Sequence, residues 1–197
     1  MAISTVLLDL DGVIRHFNDA HVRAVFRKYG VAPDDLVIAA LTGDLLISAQ
    51  TGRITRAQWI DAVGEAVGSR DAAAEWLADR GVVDPEMVEL VGELRARGIT
   101  VAILTNGTDT IPEELAALGI SDLADRVFNT SDIGVAKPDR AIFEHVCREL
   151  DVEPSEVFFT DDAPRNTQGG ADAGLDAELF VDVATLRSQL AARLPEE

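Results

Sequence analysis

Apolar and polar positions fall into two regimes along the chain. Between residues 16 and 83 the apolar residues recur at helical spacing. Val22, Val25, Phe26 and Tyr29 lie at i, i+3, i+4 and i+7 and predict a helix that ends at Gly30. Pro33 opens a second helix running towards Thr42-Gly43. Thr55 precedes a third, with Trp59, Ile60, Val63 and Val67 on its face and Gly68 after it. A short alanine-rich helix over 72–78 stops at Gly81. No part of this stretch alternates as a strand does, so it is predicted to be all helical over its 68 residues. Outside it the apolar runs are short and continuous. Residues 6–8, 99–104, 127–128, 157–159 and 179–181 predict strands. Between them lie helical patterns: Met87, Leu90, Val91 and Leu94 up to Gly98, Pro112 to Gly119, the stretch after Lys137-Pro138 up to Leu150, Pro164 to Gly174, and from Thr185 onward. Strands alternating with helices predict an α/β fold, a doubly wound parallel sheet covered on both faces. The helical block interrupts it after the first strand, so residues 1–15 and 84–197 are expected to form the α/β core and 16–83 a small helical domain.

Open parallel sheets bind ligands beyond the carboxyl ends of their strands. Three predicted strands end in polar clusters: Asp9-Leu10-Asp11-Gly12, Thr105-Asn106-Gly107 and Asp161-Asp162. Strand alternation points Asp9 and Asp11 the same way, with α-carbons about 6.6 Å apart. Two such charges about 4 Å apart repel by roughly 4 kcal/mol at an effective dielectric near 20. A functional pair therefore calls for a cation, and carboxylates beside phosphate suit Mg2+ first. Asp-x-Asp-Gly also fits a solvated turn, and Asp161-Asp162 an acid pair at the N-terminus of the helix opened by Pro164. Thr105 and the N–H groups after it offer donors to a phosphate oxygen, while Asn106-Gly107 equally reads as an ordinary turn.

Lysine usage adds an independent hint. Fifteen of the seventeen basic residues are Arg, and only Lys28 and Lys137 are Lys. A compact ammonium at 137 suits a position that must reach both Asp9 and a phosphoryl oxygen. On that ground Lys137→Arg is expected to lose most activity with little change in thermal stability. Formal net charge is −18, from 35 acids against 17 Lys and Arg. Such a surface repels nucleic-acid backbones and anionic membranes, and neither is expected as a partner. Cys147, the sole cysteine, lies in an apolar helical stripe and reads as core filler. No apolar run approaches the ~18 residues of a membrane span, and no basic leader precedes the first strand, which together read as a cytoplasmic protein.

These motifs, in this order, resemble those of the haloacid dehalogenase superfamily, especially its phosphatase-like members with a helical cap after the first motif. Asp9-Leu10-Asp11-Gly12-Val13 resembles motif one, Thr105-Asn106 motif two, Lys137 motif three and Asp161-Asp162 motif four. The resemblance implies a Rossmann-like core and a Mg2+-dependent phosphatase of a small phosphorylated metabolite, working as a monomer or homodimer. Asp9 would attack phosphorus and form an aspartyl-phosphate. Asp11 would act as general acid and base, its backbone carbonyl joining Asp9, Asp161 and Asp162 on the metal. Thr105, Asn106 and Lys137 would bind phosphate, and Asn166, which also reads as a cap or turn residue, would support the metal or phosphate. Arg15, His16 and the loop between Thr42 and Arg53 would contact substrate beneath the cap. A sugar-phosphate mutase, a 2-haloacid dehalogenase and a non-catalytic binding module on the same fold are the alternatives. Asp11 speaks against the dehalogenase, whose members usually carry an aromatic there and need no metal.

Overall fold

The computed structural model describes residues 2–194. Its centre is β1 (Thr5–Leu8), in which every residue is buried. β1 pairs in parallel with β4 (Thr100–Thr105) on one side and β6 (Val157–Asp161) on the other. β5 (Arg126–Asn129) and β7 (Asp176–Leu179) complete a five-stranded sheet in the order β5-β4-β1-β6-β7. Successive side chains of β1 feed opposite layers, as the period of a strand requires. Val6 and Leu8 pack with Met87, Leu90 and Leu94 of α6 (Pro85–Ala96) and with Leu186 and Leu190 of α11 (Val183–Ala191). Leu7 packs on the other face with Ile142, Phe143 and Val146 of α9 (Arg140–Leu150), and Cys147 belongs to that core. The continuous apolar runs seen in the sequence are those of a sheet covered on both faces.

Between β1 and α6 the chain builds five helices around a core of their own. These are α1 (Asp19–Tyr29), α2 (Pro33–Leu41), α3 (Gly43–Gln50), α4 (Arg56–Val67) and α5 (Arg70–Leu77). Val25, Phe26, Trp59, Val63 and Leu77 are buried together there. Thr55 starts α4 with a capping box, its side chain accepting from the Gln58 N–H.

Three expectations need correction. The stretch 16–83 is not wholly helical: β2 (Arg15–His16) and β3 (Val82–Val83) form an antiparallel ribbon where the block leaves and rejoins the core. Two-residue strands carry no readable period, and Val82 is 72% exposed. The expected loop between Thr42 and Arg53 is mostly helix α3. The last strand is Asp176–Leu179 rather than 179–181. It is an edge strand with polar positions, so the apolar weight of Leu179-Phe180-Val181 misplaced it, although Phe180 N–H still donates to the Asp161 carbonyl at 3.0 Å. A one-turn helix, α8 (Thr130–Ile133), follows β5.

Candidate active site

The strand ends converge as the topology demands. Asp9 follows β1, Thr105 ends β4 and Asp161 ends β6, three adjacent strands. Lys137 lies at their focus with its side chain 1% exposed. Its ammonium donates to Asp9 Oδ1 at 2.7 Å, Asp161 Oδ2 at 2.6 Å and the Leu104 carbonyl at 2.8 Å. Burial opposes that charge, but Asp9 and Asp161 outweigh it and raise the Lys137 pKa. Burial, with Asp161 nearby, pushes the Asp9 carboxyl up to about 7 despite Lys137.

Asp161 is fully buried, and its oxygens are taken up within the protein. Besides Lys137 they accept from Ala163 N–H at 2.8 Å and from Asn166 Nδ2 at 3.0 and 3.1 Å. Asn166 thus supports Asp161, and its own Oδ1 is buried without a partner among the described residues. Asp162 is exposed, its carboxyl raised by partial burial and by Asp161. One oxygen each from Asp9, Asp161 and Asp162 lie within 4.8 Å of one another. Gly12, at φ +87°, packs against this acid: a Cβ there would stand 2.1 Å from Asp162 Oδ2. Only glycine accepts both that angle and that approach.

Asp11 departs from the expected geometry. The strand ends at Leu8, and the Leu10 carbonyl accepts from the N–H groups of Ile14 and Arg15, curling the chain into a tight loop. Alternation therefore no longer applies at Asp11. Its carboxylate is not one of the three clustered acids and accepts from Arg15 Nε at 2.5 Å. Asn106 also departs from the expectation. Its amide donates to the Lys137 carbonyl at 3.0 Å and accepts the Lys137 N–H at 2.9 Å. That reciprocal pair holds the Lys137 backbone beside the cis Lys137–Pro138 bond. Thr105 is buried at the strand end, where it pairs with Asn129.

The expected substrate contacts divide. His16 is half-exposed in the β2–β3 ribbon, with Nε2 3.6 Å from Asp84 Oδ2, outside the cluster. Arg15 is buried, pairing with Asp11 and, through Nη1 at 2.8 Å, with Glu114 on α7 (Ile111–Leu118). Glu114 also faces Arg56 Nη1 at 3.3 Å and accepts from Thr110 Oγ1 at 2.7 Å. Arg56 N–H donates to Asp109 Oδ1 at 2.6 Å, and its guanidinium donates to the Leu77 carbonyl. Sequence reasoning missed Glu114 and Arg56. Neither lies in a motif, and Glu114 reads as one more first-turn acid after Pro112. Two cavities flank the cluster. One of about 540 Å³ runs from Leu41 and Leu46 to Lys137 and Arg165, and the other, about 410 Å³, is lined by Asp11, Arg15, Arg56 and Trp59.

A parallel α/β sheet carrying three acids and a buried lysine at the ends of its central strands defines a hydrolase class. Residues 3–174 match the haloacid dehalogenase-like hydrolases, and the chain belongs to that family. It is 27% identical to the validoxylamine A 7'-phosphate phosphatase of Streptomyces hygroscopicus subsp. limoneus, over 93% of this chain and 92% of that one. It is 37% identical to (S)-2-haloacid dehalogenase 1 of a Pseudomonas, over 38% and 34% of the two chains. Among solved structures, a family enzyme of Bacteroides thetaiotaomicron, crystallised with magnesium and inorganic phosphate, superposes with a TM-score of 0.74 at 21% identity, covering 91% of this chain and 93% of that one. Among the described residues no helix is long and apolar enough to cross a membrane.

Proposed function

We propose that this hydrolase is a Mg2+-dependent phosphatase acting on a small phosphorylated metabolite through an aspartyl-phosphate on Asp9. The observation that carries the reading is the convergence of Asp9, Asp161 and Asp162 around Lys137. The donor set fits Mg2+: all ligand atoms are oxygens, and an octahedral ion with bonds of about 2.1 Å sets its ligands roughly 3–4 Å apart. The three oxygens lie within 4.8 Å of one another, and Asp161 would meet the ion by giving up one of its two Asn166 contacts. Asp9, Asp161 and Asp162 would hold the ion, with the Asp11 carbonyl as a fourth ligand, since the Asp11 carboxylate is turned to Arg15. When bound, it neutralises the carboxylates and the phosphate oxygens facing them. The structural relative from Bacteroides, crystallised with magnesium and phosphate, supports that choice.

The chain's own groups supply the remaining steps. Asp9 attacks phosphorus as the bond to the leaving oxygen breaks, and Asp11 gives that oxygen its proton. A water then attacks the phosphorus of the aspartyl-phosphate, Asp11 takes its proton, and Asp9 is released with inorganic phosphate. Thr105 donates to the phosphoryl oxygens, Lys137 does so by exchanging its Asp9 bond as that oxygen joins phosphorus, and Asn106 acts by holding Lys137. Residues 16–83 act as a cap over a core of 1–15 and 84–197. The cap is docked by Thr130 Oγ1 on the Gln50 carbonyl at 2.8 Å and by Arg56 on Asp109 and Glu114.

The test is phosphate release from an aryl phosphate, with Mg2+ and with EDTA, on wild type and Asp9→Asn. Activity confined to Mg2+ and lost in Asp9→Asn is expected. Full activity in EDTA with halide release from 2-haloacids would replace this reading with the dehalogenase one, which the Pseudomonas relative favours.

A further inference from the structure

The 410 Å³ cavity lies between the helical block and the core, and its walls differ from those of the strand-end site. Its volume is near the low end of the ~300–1,000 Å³ usual for small-molecule pockets. Of the strand-end acids only Asp11 lines it. Leu41, Trp59, Trp76 and Leu77 form much of its apolar wall. Arg15 and Arg56 also reach it, yet both guanidiniums are already paired, Arg15 with Asp11 and Glu114, and Arg56 with Glu114 and the Leu77 carbonyl. Asp79 adds a further carboxylate to the lining, so acids there outnumber guanidiniums. A second phosphate or a carboxylate on the substrate would be desolvated in this cavity with no unpaired cation among its lining groups to receive it.

Building on the phosphatase reading, we infer that this cavity receives the leaving alcohol, and that the alcohol is uncharged and mainly apolar. The placement follows from Asp11. The phosphorus–oxygen bond that breaks leaves its electron pair on the alcohol oxygen, and that oxygen takes the Asp11 proton. The group behind it must therefore extend from Asp11, and this cavity opens there. The phosphoryl group stays with Asp9 and Lys137, so the charged and uncharged ends of the substrate occupy separate places.

Both tryptophans of the chain, Trp59 and Trp76, line the cavity, so intrinsic fluorescence reports its occupancy without turnover. The probes are tetrahydropyran-4-methanol, which carries an ether oxygen, cyclohexylmethanol, which does not, and glycerate. Saturable fluorescence changes are expected for the two alcohols and none for glycerate at equal concentration. In turnover, kcat/KM for the phosphate esters of the two alcohols should exceed that for phosphoglycerate by about a hundredfold or more. Equal or better turnover of phosphoglycerate, or an equal fluorescence response to glycerate, would overturn the inference and leave the phosphatase reading standing. Saturable alcohol binding with no ester hydrolysed at all would sink the phosphatase reading but not the chemistry of the cavity.

Discussion

Replacing Lys137 by Met keeps most of the side-chain volume and removes the ammonium that lets Asp9 and Asp161 lie buried side by side. Two unit charges 4.8 Å apart, the outer bound on the carboxylate oxygens, repel by about 3.5 kcal/mol at an effective dielectric near 20. The variant also loses two charge-assisted hydrogen bonds, worth roughly 1.5–3 kcal/mol each. These terms do not simply add, because Asp9 can escape by taking up a proton. Its pKa is already about 7, so at neutral pH that escape is cheap. Asp161 also keeps Asn166 and the Ala163 N–H. A net loss of about 3 kcal/mol results, the low end for breaking a buried ion pair. In a chain of this length each kcal/mol moves Tm by about 2–4 °C, so a fall of about 6–12 °C is expected in EDTA. Bound Mg2+ restores positive charge among the same carboxylates and should raise Tm of the variant more than Tm of wild type.

The assay is a melting curve in EDTA and in excess Mg2+, beside steady-state kinetics, for Lys137→Met and Lys137→Arg. Both variants should lose most of kcat. Arginine keeps the charge, but its wide planar head cannot reach Asp9, Asp161 and the Leu104 carbonyl from one point, and a ~1 Å displacement can cost on the order of a hundredfold. A Tm for Lys137→Met within about 2 °C of wild type in EDTA would refute the charge argument, because the carboxylates would then coexist unaided. Near-wild-type kcat in Lys137→Arg would refute the geometric one. From sequence alone such changes were expected to spare stability. The burial of Lys137 between two acids reverses that expectation.

Three further outcomes follow. Gly12→Ala places a Cβ 2.1 Å from Asp162 Oδ2 at a backbone angle that costs an L-residue about 1–2 kcal/mol, so calorimetry should find weaker Mg2+ binding, and unchanged affinity would remove Asp162 from the metal site. Burial pushes the Glu114 carboxyl up, but Thr110, Arg56 and Arg15 outweigh it and hold it below its ordinary 4.5; a depressed carboxyl gives stability that is complete above that value and lost as pH falls through the lower, folded one. Glu114→Gln should therefore cost about 3 kcal/mol near neutral pH by leaving buried Arg15 with Asp11 alone, and its Tm gap to wild type should narrow as pH falls below 4.5; a gap that does not change with pH would contradict this. Asp11→Asn should slow hydrolysis of alkyl phosphates by about 10²–10⁴-fold and of activated aryl phosphates by much less, and equal losses on both would deny Asp11 the role of acid.

How much of this was legible depends on the range of each interaction. The helices over 19–29 and 56–67 and the central strands rest on local period and caps, which a single sequence displays. The two-residue strands at 15–16 and 82–83 have no period to display and exist because the ends of the helical block meet. The edge strand at 176–179 carries Asp176 and Glu178, both paired with Arg193, so apolar weight pointed beyond it.

The same distinction divides the site. Asp9 and Lys137 are 128 positions apart, and their contact was still anticipated because each sits in a recognisable short motif and lysine is scarce in this chain. Arg15 and Glu114 are 99 apart with no motif on the Glu114 side, so nothing local marked Glu114 as other than a surface acid. Yet that glutamate joins the two halves of the molecule. It accepts from Arg15, which holds Asp11, and it faces Arg56, which opens α4 in the helical block. The carboxylate in reach of a leaving group and the helix that shelters it are therefore tied through one buried acid. Such a link arises only when the fold brings the partners together, and for that reason it is the part of the site that pattern reading cannot reach.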